Sequence, residues 1–306
     1  MEQSFTIDGL PPEFIFGGLK GEIIDYIISS YQVNMKLIQL YYYHPALQIH
    51  CQELIQPSGK ETNVHLHKIK SPGIYHAKFI LITTTEILKF IIMTTNITEI
   101  CIKNCLNDYY VITIPRTKLS SPTPFTSLLY QFLDSFDIKL KSPLLMYRWK
   151  GIQGKLLISI PGKMSHAICF QNQIEKPKSS MKREAIIRCS SMMCGYNIKK
   201  VFHVKRCVVE PMKEKEGIPL LGIYDLNNNK EQDGKTLRYE IQPFEAKEAF
   251  HYKRYIIRYI DVKKKEPIQY LIITSANLTR QAWGTQKYAA YNAELGIIWN
   301  SKFTFN

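Results

Sequence analysis

One short pattern occurs twice in the chain and constrains the fold more than any other feature. Each copy reads histidine, any residue, lysine, an apolar strand, a turn, a second strand and a closing [TS]-x-N. The polar members are His76, Lys78 and Asn96 in the first copy and His251, Lys253 and Asn277 in the second. Because residues i and i+2 of a strand share a face, each histidine is expected to point the same way as its lysine.

This repeat predicts an α/β protein with two similar halves, each a sheet packed by helices. A chain of 306 residues is long enough for two modest domains, and we place the boundary near residues 148–152. The predicted domains are residues 1–150, with the first H-x-K, and residues 151–306, with the second. The active site is expected on the pseudo-twofold axis between them.

Apolar periodicity predicts the elements around the two motifs. The spacing of isoleucines predicts a helix at residues 19–30, and mixed alternation predicts a strand at 33–43. Strand pairs are predicted at 76–96 and at 253–277. A further helix is predicted at 127–136.

The composition is that of a globular protein with excess positive charge. Hydrophobic residues make up 45% and charged residues 22%, and 40 Lys and Arg against 26 Asp and Glu give a net charge of +14. A polyanionic partner is expected, either nucleic acid or an acidic membrane surface. The sequence begins without a signal-peptide pattern, and no apolar run reaches the roughly 18 to 20 residues of a membrane span. The cysteine spacing indicates no metal or disulfide framework, so reduced thiols in an intracellular protein are expected.

The residue types of the repeat suit phosphoryl transfer. Lysine places a compact positive charge beside a phosphate oxygen, and asparagine supplies an amide donor that does not titrate. Histidine can act as a nucleophile and can also move a proton near neutral pH. We expect one histidine to attack phosphorus and the other to protonate the leaving group and then activate water. With two lysines supplying positive charge, neither a metal ion nor a cofactor is expected.

These motifs resemble those of the phospholipase D superfamily and, within it, the tyrosyl-DNA phosphodiesterase family. Ordinary phospholipase D enzymes read H-x-K-x4-D, whereas this chain has Thr83 and Arg258 at the aspartate positions. Missing aspartates with later asparagines are typical of the tyrosyl-DNA phosphodiesterase variant. Residues 274–284 and 292–296 also look like segments of that family. The resemblance implies two phospholipase D-like halves, each a mixed β-sheet flanked by helices, with the active site at their pseudo-twofold interface.

The resemblance also implies a role for individual residues. His76 would be the nucleophile and His251 the general acid and base, with Glu294 orienting or polarising His251. Two positions depart from the family pattern. Asn107 stands where a glutamine commonly assists the nucleophile, and Pro72 stands where an aromatic residue suited to stacking on DNA is common.

Substrate binding is implied for two lysines and two serines. Lys78 and Lys253 would hold the equatorial phosphate oxygens, and Ser190 and Ser191 would bind a DNA phosphate. A serine pair is also typical of a turn or a helix cap, so that alternative stays open.

The implied reaction is hydrolysis of the phosphodiester between tyrosine and a DNA 3′ end, through a covalent phosphohistidine. Its expected setting is nuclear repair of topoisomerase I adducts by a monomer, without a membrane. The partners would be single-stranded or nicked DNA with 3′ adducts and a topoisomerase I-derived peptide. Two alternatives stay open: another phospholipase D-like nuclease or lipid hydrolase, and a DNA 3′-end-binding protein with weakened catalysis. The missing aspartates argue against the nuclease or lipid hydrolase. The departures at Asn107 and Pro72 are the reason to retain the DNA-binding protein with weakened catalysis.

Other clusters carry weaker functional interpretations. The basic tracts at 176–183 and 263–265 could contact a DNA backbone, although charge runs are usually just solvated. The tyrosines at 41–43 are more typical of a packed core than of base stacking. His65 and His67 have the spacing of a metal pair but lack further ligands nearby, which favours a polar strand face.

Overall fold

A computed structural model describes most of the chain. The described residues are 2–8, 10–55, 65–103, 105–174, 176–190, 192–193, 198–210, 224–225, 240–241, 249–251, 253–260, 267–284 and 290–300. The strands are β1 (Glu2–Asp8), β2 (Ile23–Asn34), β3 (Leu47–Ile55), β4 (His65–Lys68), β5 (Phe79–Thr84), β6 (Ile87–Met93), β7 (Cys105–Pro115), β8 (Lys155–Ser159), β9 (Lys182–Cys189), β10 (Met192–Met193), β11 (Arg206–Val209), β12 (Tyr224–Asp225), β13 (Glu240–Ile241), β14 (Ala249–Phe250), β15 (Lys253–Ile260), β16 (Pro267–Thr274) and β17 (Glu294–Asn300).

The helices are short by comparison with the strands. They are α1 (Pro12–Phe16), α2 (Met35–Leu37), α3 (Glu99–Lys103), α4 (Pro124–Ser135), α5 (His166–Gln173), α6 (Ile198–Val201) and α7 (Arg280–Trp283), with a π-helical turn at Ile38–Tyr42 and a 3-10 turn at Leu144–Met146. None of the described helices is both long and apolar enough to cross a bilayer.

Two mixed sheets form the scaffold. The first has the order β1-β7-β6-β5-β2-β3-β4, with β14 also paired to β7. The second has the order β13-β11-β9-β15-β16-β17-β8. In both, the hairpin that follows an H-x-K is antiparallel and lies at the centre: β5 with β6, and β15 with β16. The predicted α/β architecture with two similar sheets and both predicted strand pairs are therefore confirmed, whereas the domain boundary near 148–152 stays a prediction.

The central strands of the first sheet are covered on both faces. Phe79 and Leu81 of β5 belong to one apolar cluster, and Ile80 and Ile82 belong to the other. Every residue of β5 and of β6 is buried. A strand with two buried faces has a continuous apolar sequence, without the polar alternation of a strand at a solvated surface.

Strand β2 corrects the helix predicted at residues 19–30. It runs over Ile23–Asn34, pairs in parallel with β3 and antiparallel with β5, and is buried over most of its length. A short apolar run does not distinguish a doubly buried strand from a helix by periodicity alone. The isoleucines fit helical spacing by chance, and pairing with two neighbouring strands decides the structure.

The following segment corrects the strand predicted at 33–43. Residues Met35–Leu37 form α2 and continue into the π-helical turn at Ile38–Tyr42. The Oδ1 atom of Asn34 accepts a hydrogen bond from the Lys36 amide at 3.0 Å, which is the contact of a helix N-cap. The Tyr42 ring is buried in the core, whereas Tyr41 and Tyr43 are exposed.

Helix α4 joins the two sheets. A capping box between Thr123 and Thr126 begins it, and it ends within one residue of the helix predicted at 127–136. Its ring Phe132 packs edge-on to Phe79, and Phe125 packs edge-on to Phe90, with centroid distances of 6.3 Å in both pairs. The same apolar cluster includes strand β8 of the second sheet, so both halves share one core.

The described cysteines are buried thiols, and none of them is disulfide-bonded. The expected reduced state of the thiols in the cell stays a prediction. Two of them, Cys101 and Cys105, flank the end of α3 and lie beside the candidate active site.

Candidate active site

The segment that carries His76 is paired with the second half of the chain. Tyr75 and Ala293 form a parallel bridge, and the His76 amide donates to the Ala293 carbonyl at 2.9 Å. Just before it, Gly73 lies so close to Tyr291 that a Cβ atom would come within 1.7 Å of the Tyr291 carbonyl oxygen. Only glycine allows this approach, which places the first histidine against the second half.

The segment that carries His251 is paired with the first half. Strand β14, directly before it, lies parallel to Cys105 and Leu106 of β7. The His251 amide donates to the Leu106 carbonyl at 2.9 Å. The two halves thus exchange the backbone segments that bear their histidines, which brings both imidazoles to the interface.

Both lysines fold back on the histidine of their own half. Lys78 Nζ donates to the His76 carbonyl at 2.8 Å, and Lys253 Nζ donates to the His251 carbonyl at 3.0 Å. Both side chains are fully buried. Burial, and secondarily the charge of Lys253, hold the pKa of Lys78 well below its usual value, and burial lowers the pKa of Lys253 to about 8. Two desolvated cations side by side favour an anion between them.

Each asparagine lies beside a serine hydroxyl of its own half. Ser190 Oγ donates to Asn277 Oδ1 at 3.2 Å. Ser30 Oγ lies 3.4 Å from Asn96 Oδ1 and shares its one proton with the closer Gln32 carbonyl, at 3.0 Å. Because Oδ1 of each asparagine lies against a hydroxyl, its Nδ2 group points away from the serine. Nδ2 is the atom that can donate to a phosphate oxygen. Ser190 therefore lies beside the site, as expected, while its predicted contact with a DNA phosphate stays a prediction and Ser191 lies outside the described residues.

Glu294 contacts His76, which corrects the expectation that it orients His251. Its Oε2 atom lies 3.0 Å from His76 Nδ1 and 2.5 Å from the donating Ser275 hydroxyl. Asn292 Nδ2 donates to Oε1 at 3.1 Å. Burial alone would raise the pKa of Glu294, but His76, Lys78 and Ser275 outweigh it and lower the pKa to about 2. The carboxylate is therefore ionised and fixes His76 with its proton on Nδ1 and its lone pair on Nε2.

His251 has a neutral acceptor instead of a carboxylate. Its Nδ1 donates to the carbonyl of Thr94, in the first half, at 2.8 Å. Burial, then the charges of Lys253 and Lys78, hold the pKa of His251 well below its ordinary value. A bound phosphodiester would add a negative charge among these cations and raise that pKa towards its usual range.

The difference between these two acceptors distinguishes the histidines chemically. A carboxylate on Nδ1 stabilises the positive charge that grows on His76 when its Nε2 attacks phosphorus. The neutral carbonyl on Nδ1 of His251 raises its pKa less than an ionised carboxylate would, so protonated His251 releases its proton more readily. The geometry favours His76 as nucleophile and His251 as general acid.

Asn107 does not contact either imidazole through its amide, which corrects its predicted catalytic role. Its Nδ2 atom donates to the carbonyls of Cys101 and Cys105, at 2.9 and 2.8 Å. The side chain is buried and clamps the turn between α3 and β7. Its Nδ2 group is committed to this turn. The Nδ1 atom of His76, the expected nucleophile that Asn107 would have assisted, is held by Glu294 instead.

Replacing Asn107 with alanine is expected to lower stability with little effect on catalysis. Two buried carbonyls would lose their donor, which typically costs about 1–3 kcal/mol. Urea denaturation measures the loss, and the kcat for a phosphodiester is expected to stay close to wild type. A folded Asn107→Ala protein with a strongly reduced kcat would restore the catalytic role.

Several residues near the site carry no motif in the sequence that points to them. Cys101 is one of them: hydrogen bonding by the Cys105 thiol, by Thr98 and by the Asn96 backbone, with the charge of Lys253, lowers its pKa to about 6 although burial opposes the shift. The first-half serine, Ser30, is another, because its run of residues was assigned to a helix. Its counterpart Ser190 was found only through the family resemblance.

Tyr31 and its neighbours form a polar rim beside the nucleophile. The Tyr31 ring lies 5.9 Å from the His76 ring, and its hydroxyl donates to Glu53 Oε1 at 2.5 Å. Gln32 Nε2 donates to Glu53 Oε2 at 2.8 Å. These side chains come from β2 and β3, whose pairing the sequence pattern did not predict.

The remaining candidates lie away from this cluster or outside the described residues. Pro72 is exposed, and the described residues contain no group of three or more His, Cys, Asp or Glu arranged to hold a metal ion. His67, on an exposed strand, stacks on His50 with a centroid distance of 4.5 Å and an interplanar angle of 4°. The basic tract at 263–265 lies outside the described residues.

Acid is expected to destabilise the protein through three histidines with lowered pKa values, two of them buried and His76 largely so. Burial lowers the pKa of His50, His76 and His166 to about 4. Between about pH 6.5 and pH 4 the unfolded chain binds protons that the folded chain does not, so stability is lost as the pH falls through this window. Each histidine contributes up to about 3 kcal/mol of this loss. Urea midpoints at pH 7.0, 5.5 and 4.5 measure it, and equal midpoints would contradict it. His50→Gln should flatten the dependence.

Comparisons with known proteins agree with this geometry. The sequence matches the family model described as tyrosyl-DNA phosphodiesterase over residues 24–200 and 189–306. No curated protein sequence matches the chain. A mutant of yeast tyrosyl-DNA phosphodiesterase has a similar structure, with a TM-score of 0.74 at 14% identity, covering 100% of this chain and 89% of the yeast chain.

Two further solved structures are similar to the chain to different degrees. A second crystal structure of yeast tyrosyl-DNA phosphodiesterase gives a TM-score of 0.69 at 14% identity, covering 98% of this chain and 91% of the yeast chain. Polyphosphate kinase from Porphyromonas gingivalis gives 0.54 at 11% identity, covering 99% of this chain and 48% of that chain. These identities describe a shared fold, whereas the family model spans most of the sequence. The chain therefore belongs to the tyrosyl-DNA phosphodiesterase family, and it is a phosphodiesterase.

Proposed function

We propose that the protein hydrolyses the bond between a tyrosine and the 3′ phosphate of DNA through a phosphohistidine. The contact between Glu294 and His76 Nδ1, at 3.0 Å, is the observation that carries this proposal. The buried carboxylate on His76 suits this imidazole to act as the nucleophile. The neutral carbonyl on His251 suits the second imidazole to act as the acid.

The reaction proceeds in two displacements at phosphorus. His76 Nε2 attacks, an N–P bond forms, and the P–O bond to tyrosine breaks as His251 gives its proton to the phenolic oxygen. His251, now neutral, takes a proton from water, whose oxygen attacks phosphorus and releases His76. The products are tyrosine and a DNA 3′ phosphate. Lys78 and Lys253 neutralise the charge on the equatorial oxygens in both steps.

The biological setting is part of the same proposal. The net charge of +14 suits binding to single-stranded or nicked DNA with a 3′ adduct. A peptide left by topoisomerase I would be the leaving group, the compartment would be the nucleus, and the enzyme would act as a monomer. Family membership supports a DNA-linked substrate.

The test is cleavage of a single-stranded oligonucleotide with a 3′-phosphotyrosine, in the presence of EDTA. Release of tyrosine with a 3′-phosphate end is expected for the wild type and for His65→Ala, a variant at an exposed strand. A 5′-phosphotyrosyl oligonucleotide and phosphatidylcholine serve as comparison substrates. Preferred cleavage of either one, or DNA binding without any cleavage, would overturn the proposal.

A further inference from the structure

An ion pair links the two halves beside His251. Arg254 of β15 donates from Nε to Asp108 Oδ2 at 3.1 Å and from Nη2 to Oδ1 at 2.5 Å. The Asp108 side chain is 1% exposed and the Arg254 side chain 19%. Two parallel bonds from a guanidinium to a carboxylate fix orientation as well as distance.

Asp108 is also tied through its backbone to the residue that holds the general acid. The Thr94 amide donates to the Asp108 carbonyl, and the Asp108 amide donates to Thr94 Oγ1, both at 3.1 Å. The carbonyl of the same Thr94 accepts the hydrogen bond from His251 Nδ1 at 2.8 Å. Any shift of Asp108 relative to β15 therefore shifts the acceptor of His251.

These contacts close a ring. It runs from His251 along the chain to Arg254, across the ion pair to Asp108, to Thr94 and back to the imidazole. Lys253 points into the site, so its neighbour Arg254 points to the other face of β15 and acts at a distance from the phosphate.

We infer that the Asp108–Arg254 pair positions His251 as the general acid, an inference that rests on the proposed function. It is a positioning device specific to the acid, because the nucleophile is held separately by Glu294 of the second half. Loss of the pair is therefore expected to affect proton donation to the leaving group and to leave attack by His76 largely intact.

The closing experiment compares two leaving groups in single turnover. Asp108→Asn keeps the shape of the side chain but removes its charge. With the 3′-phosphotyrosyl oligonucleotide, adduct formation should slow by about 10- to 100-fold, which is at most the lower limit of the roughly 10² to 10⁴-fold range for acid–base catalysis because the acid is displaced and not removed. The enzyme concentration that gives half the maximal rate should change little. With a 3′-(p-nitrophenyl phosphate) oligonucleotide, whose leaving group departs as a stable anion, the rate should change little.

Two further proteins separate positioning from folding. The charge-exchanged double variant Asp108→Arg, Arg254→Asp should recover part of the tyrosyl rate. Glu210→Gln is the matched control, because Glu210 forms a similar ion pair outside the ring of contacts around His251. Arg188, on the neighbouring strand β9, donates to Glu210 from Nε at 2.9 Å and from Nη2 at 2.6 Å. Glu210→Gln should keep the wild-type ratio of the rates of adduct formation with the tyrosyl and p-nitrophenyl substrates.

If Asp108→Asn slows adduct formation equally with both substrates, the ion pair has a structural role and the inference is overturned. The same holds if Glu210→Gln slows the tyrosyl substrate selectively, as Asp108→Asn is expected to do. If Asp108→Asn does not fold, Arg254→Lys makes the same test, since a lysine keeps the charge without the bidentate fork. Failure of the proposed function itself is distinguishable, because the wild type would then not cleave the tyrosyl substrate at all.

Discussion

Replacing His76 with alanine is expected to abolish the covalent intermediate and lower kcat by about 10⁴-fold or more, on the scale seen when a covalent nucleophile is removed. His76 is the imidazole held by an ionised carboxylate, at 3.0 Å from Glu294. No second side chain at the interface has that arrangement among the described residues. Release of tyrosine from a 3′-phosphotyrosyl oligonucleotide measures the rate, and denaturing electrophoresis detects the adduct.

The control separates the lost nucleophile from a lost fold. His76→Gln keeps a polar side chain against Glu294 and should be as inactive as His76→Ala while unfolding at a similar urea concentration. His65→Ala, at an exposed strand, should turn over normally. A His76→Ala protein that keeps more than a small fraction of the wild-type rate, or that still forms the adduct, would contradict this assignment.

Replacing His251 with alanine is expected to trap the adduct. The general acid contributes typically about 10² to 10⁴-fold, and its loss slows both displacement steps when tyrosine is the leaving group. With p-nitrophenolate as leaving group the first step needs no proton, so the phosphohistidine forms and then hydrolyses slowly. A burst of about one equivalent, followed by a slow steady rate, is expected in stopped flow.

The pH dependence of the trapped adduct gives an independent check. Hydrolysis of the adduct in His251→Ala should depend on hydroxide or on an added amine base such as imidazole, since no internal base remains. The wild type should show no rescue by imidazole. A His251→Ala protein without a burst, or with wild-type turnover of the tyrosyl substrate, would mean that His251 is not the acid and base.

The residues that the structure brings together at the candidate site were predictable because the signal is a repeat. Both H-x-K motifs and both closing asparagines lie at equivalent places on central hairpins, and chance does not produce that pattern twice. The strand pairs themselves were also predictable, since β5, β6, β15 and β16 are all rich in β-branched and aromatic residues.

The elements next to the hairpins were predicted wrongly for a physical reason. Strand β2 is covered on both faces, with Ile27 in one apolar cluster and Tyr26 and Ile28 in the other. Periodicity reports on one solvated face, so it carries little information where both faces are buried. The same error hid Ser30, whose hydroxyl lies 3.4 Å from Asn96 Oδ1.

The contacts between the two halves could not be predicted from the sequence pattern either. Glu294 lies in the candidate site, but its partner is His76 and not His251, because the segments that bear the histidines are exchanged between the sheets. Asn107 was assigned a catalytic task from its place in a family motif, whereas its amide holds the turn at Cys101. Local spacing does not specify which half supplies the partner of an imidazole.

The central claim is that His76 carries the phosphoryl group, and mapping the trapped adduct tests it most directly. His251→Ala would be mixed with the p-nitrophenyl oligonucleotide, quenched under alkaline conditions that preserve phosphohistidine, digested and analysed by tandem mass spectrometry. The account predicts a nucleotide phosphate on the His76 imidazole and on no other residue. An adduct on another side chain, such as Cys101, or a burst of product without any adduct, would contradict it.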